Sequence, residues 1–248
     1  MTPALAFVMP YYRNPRMLAE QYRVWAAYPA DAKAALEVVL VDDGSPEHAR
    51  DVPRPDGLPA LRIYRVLQDI PWHQHGARNL GAKEATAPWL LLTDMDHVVP
   101  TGTLQAVLAK LPTADVARAY TFGRLDAPHL HPTLDGNGQP KPHVNSFLLA
   151  KAWFWQVGGY DEDCVGYGTD AYFRGRLRAA GPLEALPVPL IRYPREVIPD
   201  ANTTPPGIDP RAYRNAGRRR AETAQRLRRK VRKHLGPTVL AFPWERAL

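Results

Sequence analysis

Cysteine is nearly absent from this chain, which has a single one, Cys164, among 248 residues. One cysteine excludes an intrachain disulfide framework and a metal cluster held by several thiolates. It fits a reducing compartment, so we expect a cytoplasmic protein. Long apolar runs are also missing, because none approaches the ~20 residues that a helix needs to cross a bilayer. The N-terminal residues lack a basic stretch, which predicts a first strand there and no signal peptide.

Acidic residues are outnumbered, because 32 Lys and Arg stand against 25 Asp and Glu, for a formal net charge of +7. An excess of this size predicts a polyanionic partner or surface. The hydrophobic fraction of 45% and the charged fraction of 23% are ordinary for a globular protein. A chain of 248 residues holds one large domain, or one domain with an appendage.

Short apolar runs alternate with helical patterns along most of the chain. This alternation predicts an α/β fold, with a mostly parallel sheet and helices on both of its faces. Residues 183–193 are predicted to be extended but broken by prolines. The predicted strands are 4–9, 36–41, 61–66, 89–93, 116–125 and 145–150, and the main predicted helices are 14–27, 76–85, 101–110 and 211–234.

Two aspartates, Asp94 and Asp96, stand where the fourth predicted strand ends. In open α/β sheets ligands bind outside the carboxyl ends of the strands, so both carboxylates are expected to enter one cleft. Mg²⁺ and Mn²⁺ favour such oxygen ligands and leave positions for substrate phosphates. The alternative interpretation of so short a motif is a pair of solvated loop aspartates.

Four segments extend this pattern in a fixed order. They are FVMPYYRNP at 7–15, VLVDDGS at 39–45, GARNLG at 76–81 with TDMD at 93–96, and GGYDE at 158–162 with GYGTD at 166–170. Together they resemble family-2 glycosyltransferases of the GT-A fold, over roughly residues 4 to 181. The resemblance implies a Rossmann-like GT-A domain, which we place at residues 1–210.

The resemblance also implies a nucleotide-sugar donor, a UDP-hexose such as UDP-glucose, and a divalent cation, Mn²⁺ or Mg²⁺. Asp94 and Asp96 then correspond to the family's metal-binding Asp-x-Asp motif at the donor diphosphate. His143 is a candidate third metal ligand from the far side of the cleft. His97, which directly follows the motif, is a candidate ligand or a group that supports a ligand. For either histidine the alternative is a structural or surface role.

Five residues match the positions at which the family binds the nucleotide. Pro10 and Tyr12 fall where the family packs against the base, Asp42 and Asp43 where it holds the nucleoside, and Arg78 near the diphosphate. A fixed fork of N–H donors suits phosphate. The alternatives are core packing for Tyr12, capping of the next helix for the two aspartates, and a solvated helix charge for Arg78.

Asp170 matches the catalytic base of the family, the last acid of its Glu-Asp motif, although Thr169 stands where Glu is usual. As a base it would accept the proton of an acceptor hydroxyl during direct displacement with inversion. The alternative is a carboxylate that caps a helix. Asp161 and Glu162, on the preceding turn, are expected to shape the acceptor side.

The segment 211–234 contains eleven Lys or Arg and one acid, Glu222. Residues 211–248 are therefore predicted to form a basic C-terminal helix and tail that pack on the domain through a narrow, alanine-rich stripe. A solvated helix face, an anionic membrane surface and a phosphate backbone all fit this charge. We favour nucleic acid, since the stripe lacks large aromatic anchors. The expected phosphate contacts are Arg218, Arg219, Arg220, Arg228 and Arg229.

The sequence thus predicts a metal-dependent, inverting hexosyltransferase acting on a hydroxyl. The leading acceptor is 5-hydroxymethylcytosine in DNA, as in phage-type base modification, with the base presented outside the stack. A phage enzyme of this kind would work in the host cytoplasm. The alternatives are a cell-envelope lipid or glycan as acceptor, nucleotidyl transfer, and a non-catalytic nucleic-acid-binding protein on a transferase-like fold.

Overall fold

The computed structural model describes residues 2–70, 72–132, 134, 138, 142–143, 145–162, 170–201 and 240–248. The described strands are β1 Leu5–Tyr11, β2 Leu36–Asp42, β3 Ala60–Val66, β4 Trp89–Leu92, β5 His97–Val98, β6 Ala119–Asp126, β7 His131–Pro132, β8 Phe147–Ala150, β9 Leu183–Arg192 and β10 Trp244–Arg246. The described α-helices are α1 Pro15–Ala26, α2 Ala30–Ala34, α3 Gln74–Glu84, α4 Thr101–Lys110, α5 Lys151–Gln156 and α6 Asp170–Ala180. Single 3₁₀ turns lie at Ala49–Asp51 and Leu111–Thr113.

All the described strands join one sheet, in the order β10-β3-β2-β1-β4-β8-β6-β9-β5, with β7 paired to β6. The four strands from β3 to β4 run parallel, and β1 pairs with both β2 and β4. Every residue of β2 and β4 is buried, as expected for parallel strands that are covered on both faces. The predicted α/β class with a mostly parallel central sheet is confirmed.

The core lies on both faces of the parallel strands, because successive side chains of β1 point to opposite sides. Phe7 and Met9 pack with Trp25 of α1 on one face, and Val8 packs with Leu80 of α3 on the other. Helix α3 approaches β1 closely at Gly81, where an added Cβ would lie 2.5 Å from Val8 Cγ1. This close approach brings the first turns of α3 up to the carboxyl ends of the strands.

The second half of the sheet has mixed directions. Strand β8 runs antiparallel to β4, and β6 runs antiparallel to β8 and parallel to β9. The predicted extended segment 183–193 contains a full strand, β9. Its pairing with β6 shifts register between Phe122 and Gly123 of β6. Phe122 lies opposite Leu186 and Gly123 lies opposite Pro189. A bulge of this kind accommodates prolines, which cannot donate to a strand ladder.

The last residues of the chain also enter the sheet. Strand β10 pairs antiparallel with β3, with Trp244 opposite Val66. The sequence interpretation left this segment as a tail, since three residues with two charges carry no strand-length apolar run. The predicted basic helix at 211–234 lies outside the described residues. Within the described part, no helix has the length and apolar character that crossing a membrane requires.

Helix α1 begins at Pro15, one residue after the predicted start, and the acceptor for its first amides comes from a distant residue. The Oδ1 atom of Asn14 accepts a hydrogen bond from the Tyr12 amide at 3.0 Å and makes no capping bond to the helix. The Asp200 carboxylate instead accepts the amides of Arg16 and Met17, at 2.7 and 2.9 Å. Asp200 therefore anchors the segment before residue 201 at the helix N-terminus, where a negative charge is favourable.

Candidate active site

The carboxyl ends of β1, β2 and β4 lie side by side, because these strands are adjacent and parallel. Tyr12 follows β1, Asp43 follows β2, and Asp94 comes shortly after β4. Pro10 is half-buried near the end of β1, opposite Val41 of β2. The structure therefore brings the predicted nucleotide-binding and metal-binding residues to one edge of the sheet, where open α/β sheets bind their ligands.

A polar group lines the β2 side of this edge. The Tyr12 hydroxyl donates to both carboxylate oxygens of Asp69, at 3.2 Å each. Asp43 Oδ1 lies 3.6 Å from His73 Nδ1, and neither atom has a hydrogen-bond partner within the described part of the chain. The His73 ring meets Phe242 edge-on, with centroids 4.6 Å apart. Buried polar atoms without partners are costly, so this pair is suited to a ligand that supplies the missing hydrogen bonds.

Asp42 and Asp43 have different surroundings although they are adjacent. The Asp42 carboxylate accepts the amides of Ser45 and Ala49, at 2.8 and 3.0 Å, and pairs with Arg65 at 2.8 Å. These bonds place Asp42 inside the protein, where it holds the loop after β2, which is close to the capping role considered as an alternative. Of the two aspartates, Asp43 has the carboxylate oxygen that is left for a nucleoside.

Arg78 of α3 is fully buried at the centre of the site. Its Nη2 donates to Asp94, and its Nη1 donates to Asn145 Oδ1 at 2.6 Å. The same Nη1 is 3.7 Å from Asp170 Oδ1, and the guanidinium lies over the Tyr160 ring, 5.3 Å from its centroid. The solvated alternative for Arg78 is wrong, because its guanidinium is buried and links Asp94, which follows β4, to the first residue of α6.

A candidate metal-binding group lies beside Arg78. Asp94, His97 and His143 each offer one ligand atom, and these atoms lie within 4.8 Å of one another. His97 Nδ1 is 2.7 Å from Asp96 Oδ1, whereas the buried Nε2 of His97 has no hydrogen-bond partner among the described residues. His143 Nδ1 is 2.7 Å from Ser146 Oγ. This carboxylate and imidazole donor set fits a divalent cation, and the Asp96 contact fixes the orientation of His97.

Burial sets the charge states within this group. It lowers the pKa of His143 well below its ordinary value, and electrostatic interactions with His97 and Arg78 act in the same direction. His143 is therefore neutral, as a ligating imidazole must be. Burial raises the pKa of Asp94, whereas the charge of Arg78 opposes that rise. A bound cation would favour the ionised carboxylate further.

Asp170 is the first residue of α6, and residues of α3 hold its carboxylate in place. Gln74 Nε2 donates to Asp170 Oδ1 at 3.0 Å, and His75 Nε2 lies 3.5 Å from the same oxygen. Burial raises the pKa of Asp170, but the hydrogen bond and charge of His75, with the charge of Arg78, outweigh burial and lower it overall. The carboxylate is therefore ionised at neutral pH, as a general base must be.

The acids of the preceding turn make structural contacts. Asp161 pairs with Arg176 of α6 at 2.7 Å. Glu162 accepts the amide of Leu240 at 2.8 Å and the Asn79 side chain at 2.9 Å. Glu162 thus ties the C-terminal segment to α3, a role that the sequence interpretation did not foresee when it assigned both acids to the acceptor side.

This geometry agrees with a comparison to known families. The model of the family described as "Glycosyl transferase family 2" matches residues 6–173. The chain belongs to this family. The resemblance stated from the four sequence segments is thereby confirmed, and the matched range contains every motif residue described above from Pro10 to Asp170.

Two curated relatives of this family-2 chain carry the name "Validoxylamine A glucosyltransferase". One, from Streptomyces hygroscopicus subsp. jinggangensis (strain 5008), is 30% identical over 222 residues, with coverages of 72% of this chain and 52% of the relative. The other, from Streptomyces hygroscopicus subsp. limoneus, is also 30% identical, with coverages of 72% and 49%. The chain thus spans about half the length of the curated relatives that it matches.

Solved structures of S. aureus TarS 1-349 share the fold of this family-2 chain. The complex with UDP-GlcNAc superposes with a TM-score of 0.62 at 15% identity, and the match covers 94% of this chain and 74% of that one. The complex with UDP gives a TM-score of 0.59, also at 15% identity, with coverages of 94% and 74%. The GT-A fold expected from the sequence is confirmed.

The structure adds residues that the sequence interpretation left without a role. Asp69 contacts Tyr12 and His73 lies near Asp43, at the predicted nucleotide site. Gln74 and His75 contact Asp170, the predicted general base. Their only signal in the sequence is their place, just before α3 or in its first turn and close to Arg78, and histidine spacing alone assigns no partner. The predicted acceptor-binding arginines, Arg218, Arg219, Arg220, Arg228 and Arg229, lie outside the described residues.

Proposed function

We propose that this chain is a metal-dependent, inverting hexosyltransferase that uses a UDP-sugar. The observation that carries the proposal is the link between the candidate metal group and Asp170. The buried Arg78 guanidinium contacts Asp94 on one side and lies 3.7 Å from Asp170 Oδ1 on the other. A donor diphosphate at the metal group would thus lie next to Asp170, the base that accepts the proton of the acceptor hydroxyl.

A UDP-hexose is the proposed donor. The curated relatives are named glucosyltransferases, and the TarS structures hold UDP-GlcNAc and UDP. In this chain the Asp43–His73 pair offers buried polar atoms for the base, and Tyr12 with the neighbouring Pro10 offers an apolar surface. We assign the base and ribose of the nucleotide to these four residues.

Mn²⁺ or Mg²⁺ is the proposed cation, held by Asp94, His143 and the unpartnered Nε2 of His97, whose ligand atoms lie close together. Asp96 is the further ligand that the sequence predicts. When bound, the cation offsets the negative charge that develops as the nucleoside diphosphate leaves. The protein residues do the rest. Arg78 and Asn145 both donate hydrogen bonds to Asp94 and so fix its position. The neutral His143 lies on the β8 side of the cleft.

Asp170 is the proposed general base. It accepts the proton of the acceptor hydroxyl while that oxygen forms a bond to the anomeric carbon. The bond between this carbon and the diphosphate oxygen breaks at the same time, and the electron pair leaves with the diphosphate. Because attack and departure occur on opposite faces, the configuration of the sugar inverts.

The first acceptor to test is DNA that contains 5-hydroxymethylcytosine. The support for it is charge, since eleven Lys or Arg and a single acid lie within residues 211–234. Arginine series of this density suit a phosphate backbone. The name of the curated relatives favours a second candidate, a hydroxylated small molecule of the validoxylamine A kind. A cell-envelope lipid or glycan is the remaining acceptor class.

A transfer assay decides among these acceptors. The full chain is incubated with Mn²⁺, a panel of UDP-sugars and each acceptor in turn, and products are identified by mass spectrometry. A hexose adduct on 5-hydroxymethylcytosine supports the DNA acceptor. Its absence across UDP-glucose, UDP-galactose and UDP-GlcNAc rejects that acceptor, and an adduct on a hydroxylated small molecule or on a glycan replaces it.

Salt dependence tests the proposed phosphate contacts separately. Duplex DNA binding is expected to weaken with salt with a slope of about −0.9 per phosphate neutralised. Replacing Arg218, Arg219 and Arg220 by Ala should make that slope shallower and leave metal-dependent hydrolysis of the UDP-sugar unchanged. The control removes the same charge from three exposed arginines elsewhere, Arg23, Arg50 and Arg54. Equal slopes for both triple variants would reject the contacts.

Nucleotide binding should separate the two adjacent aspartates. We expect Asp43→Ala to weaken UDP binding by about 10-fold, a typical loss for one hydrogen bond to a charged group, with thermal stability nearly unchanged. Asp42→Ala should lower thermal stability instead, because it leaves the Ser45 and Ala49 amides and Arg65 without their acceptor. Calorimetric titration with UDP and thermal unfolding measure the two effects. The opposite pattern would exchange the assignments.

A further inference from the structure

His75, one turn before Arg78 on α3, occupies a place between the turn after α5 and the start of α6. Its side chain is 1% exposed. Nε2 lies 3.5 Å from Asp170 Oδ1, Nδ1 lies 3.2 Å from the carbonyl oxygen of Asp161, and the ring packs on Tyr160 with centroids 4.9 Å apart. Each ring nitrogen of His75 therefore faces an oxygen atom: Nε2 faces a carboxylate oxygen, and Nδ1 faces a backbone carbonyl oxygen.

The chemistry of these oxygen atoms determines where the protons of His75 lie. A carbonyl oxygen only accepts hydrogen bonds, so Nδ1 must carry a hydrogen and donate to Asp161. Nε2 then faces the Asp170 carboxylate, and a second proton between the two makes this contact favourable. When both ring nitrogens carry a hydrogen, His75 donates to the carbonyl oxygen of Asp161 and to the carboxylate of Asp170.

We propose that His75 is a positioning residue for the general base, holding Asp170 in one orientation for proton transfer from the acceptor hydroxyl. This inference rests on the proposed glycosyl transfer and assigns a further residue to it. Gln74 and Arg78 reach the same oxygen as His75, Oδ1 of Asp170. Oδ2 is then the oxygen that receives the acceptor proton.

The proton balance of the step leaves His75 unchanged. The acceptor proton moves to Asp170 Oδ2, the acceptor oxygen bonds to the anomeric carbon, and the diphosphate leaves with the electron pair of the broken bond. His75 neither gains nor loses a proton in this step. Other charged or titratable groups that act on Asp170 are Arg78, Asp94, Tyr160 and Arg174.

Two substitutions test the positioning role. His75→Leu removes both N–H groups, whereas His75→Gln keeps a side-chain amide that can donate towards Asp170. With UDP-glucose and Mn²⁺, and water as the acceptor, we expect kcat for UDP release to fall ~10²-fold in His75→Leu, as for a misplaced catalytic group. His75→Gln should retain most of the activity, and KM for UDP-glucose should stay constant in both. His131→Leu, at an exposed histidine of β7, is the matched control.

A double variant identifies the residue through which His75 acts. If His75 works by placing Asp170, His75→Leu combined with Asp170→Asn should be no slower than Asp170→Asn alone, because residues that act as a unit are not additive. Losses that multiply, or full activity of His75→Leu, would overturn the proposal. Should His75→Leu fail to fold, the same cycle is run with His75→Gln, whose smaller loss must also vanish in the Asp170→Asn background.

Nitrogen NMR of the histidine side chains gives a readout that does not depend on turnover. The side-chain nitrogen signals of His75 should differ between the native chain and Asp170→Asn, because the substitution removes the carboxylate that Nε2 faces at 3.5 Å. Identical His75 signals in the two proteins would overturn the contact. A wild-type chain that releases no UDP while these signals differ as expected would instead reject the proposed transferase activity.

Discussion

Asp170→Asn is expected to lower the turnover of sugar transfer by at least ~10²-fold, the lower range for loss of a general base. The substitution keeps the size of the side chain and its place at the start of α6 but removes the proton acceptor. The Gln74 donor can still bond to the remaining carbonyl oxygen, so the fold should be preserved. Steady-state UDP release gives kcat, and calorimetry with UDP should show nearly unchanged donor binding.

The control for this variant is an acid at another helix start. Asp31 lies in the first turn of α2 and is exposed, so Asp31→Asn removes a comparable charge from a helix N-terminus away from the cleft. We expect its turnover to equal that of the native chain. If Asp170→Asn transfers sugar at the native rate and only loses thermal stability, Asp170 is a helix cap and the proposed base is wrong.

Removal of the divalent cation is expected to abolish transfer, and added Mn²⁺ or Mg²⁺ should restore it. The diphosphate leaves with a charge that the cation offsets, and the only fixed cation found in contact with Asp94 among the described residues is Arg78. Asp96→Ala should weaken UDP binding in the presence of Mn²⁺ and should have a much smaller effect without it. Full activity in excess EDTA would contradict the metal role.

A pair of substitutions separates two roles of Asp96. The Asp96 carboxylate is the predicted ligand, and it also contacts His97 Nδ1 at 2.7 Å. Asp96→Asn keeps an oxygen that can accept from His97 but is a poor ligand for a hard cation. If Asp96 ligates directly, Asn and Ala should lower Mn²⁺ affinity alike, by at least ~10-fold. If Asp96 acts only through His97, Asp96→Asn should bind Mn²⁺ almost normally, as measured by electron paramagnetic resonance.

The central sheet followed from the sequence because its strands are short apolar runs that end at polar or turn residues. Helix α4, at Thr101–Lys110, has the predicted bounds. Strand β10 escaped prediction because its stability comes from its partner β3 and from packing around Trp244, not from its own composition. A three-residue strand has no periodicity to detect.

The strand ends also made much of the site predictable, since parallel neighbours bring their carboxyl ends to one edge. The sequence could not distinguish Asp42 from Asp43, because adjacent side chains differ only in the face to which they point. In the structure that difference directs Asp42 to Arg65 and Asp43 towards His73. His73 and His75 acquire their neighbours from α6, the turn after α5 and the C-terminal segment. Such contacts between distant parts of the chain leave no local pattern in the sequence.

Proton NMR of the reaction with UDP-glucose and Mn²⁺ tests the central claim most directly. The account predicts release of UDP together with a sugar whose anomeric configuration is opposite to that in the donor, and no release in EDTA or with Asp170→Asn. A product that retains the α configuration, or UMP formed with glucose phosphate, would contradict inverting glycosyl transfer by this cleft.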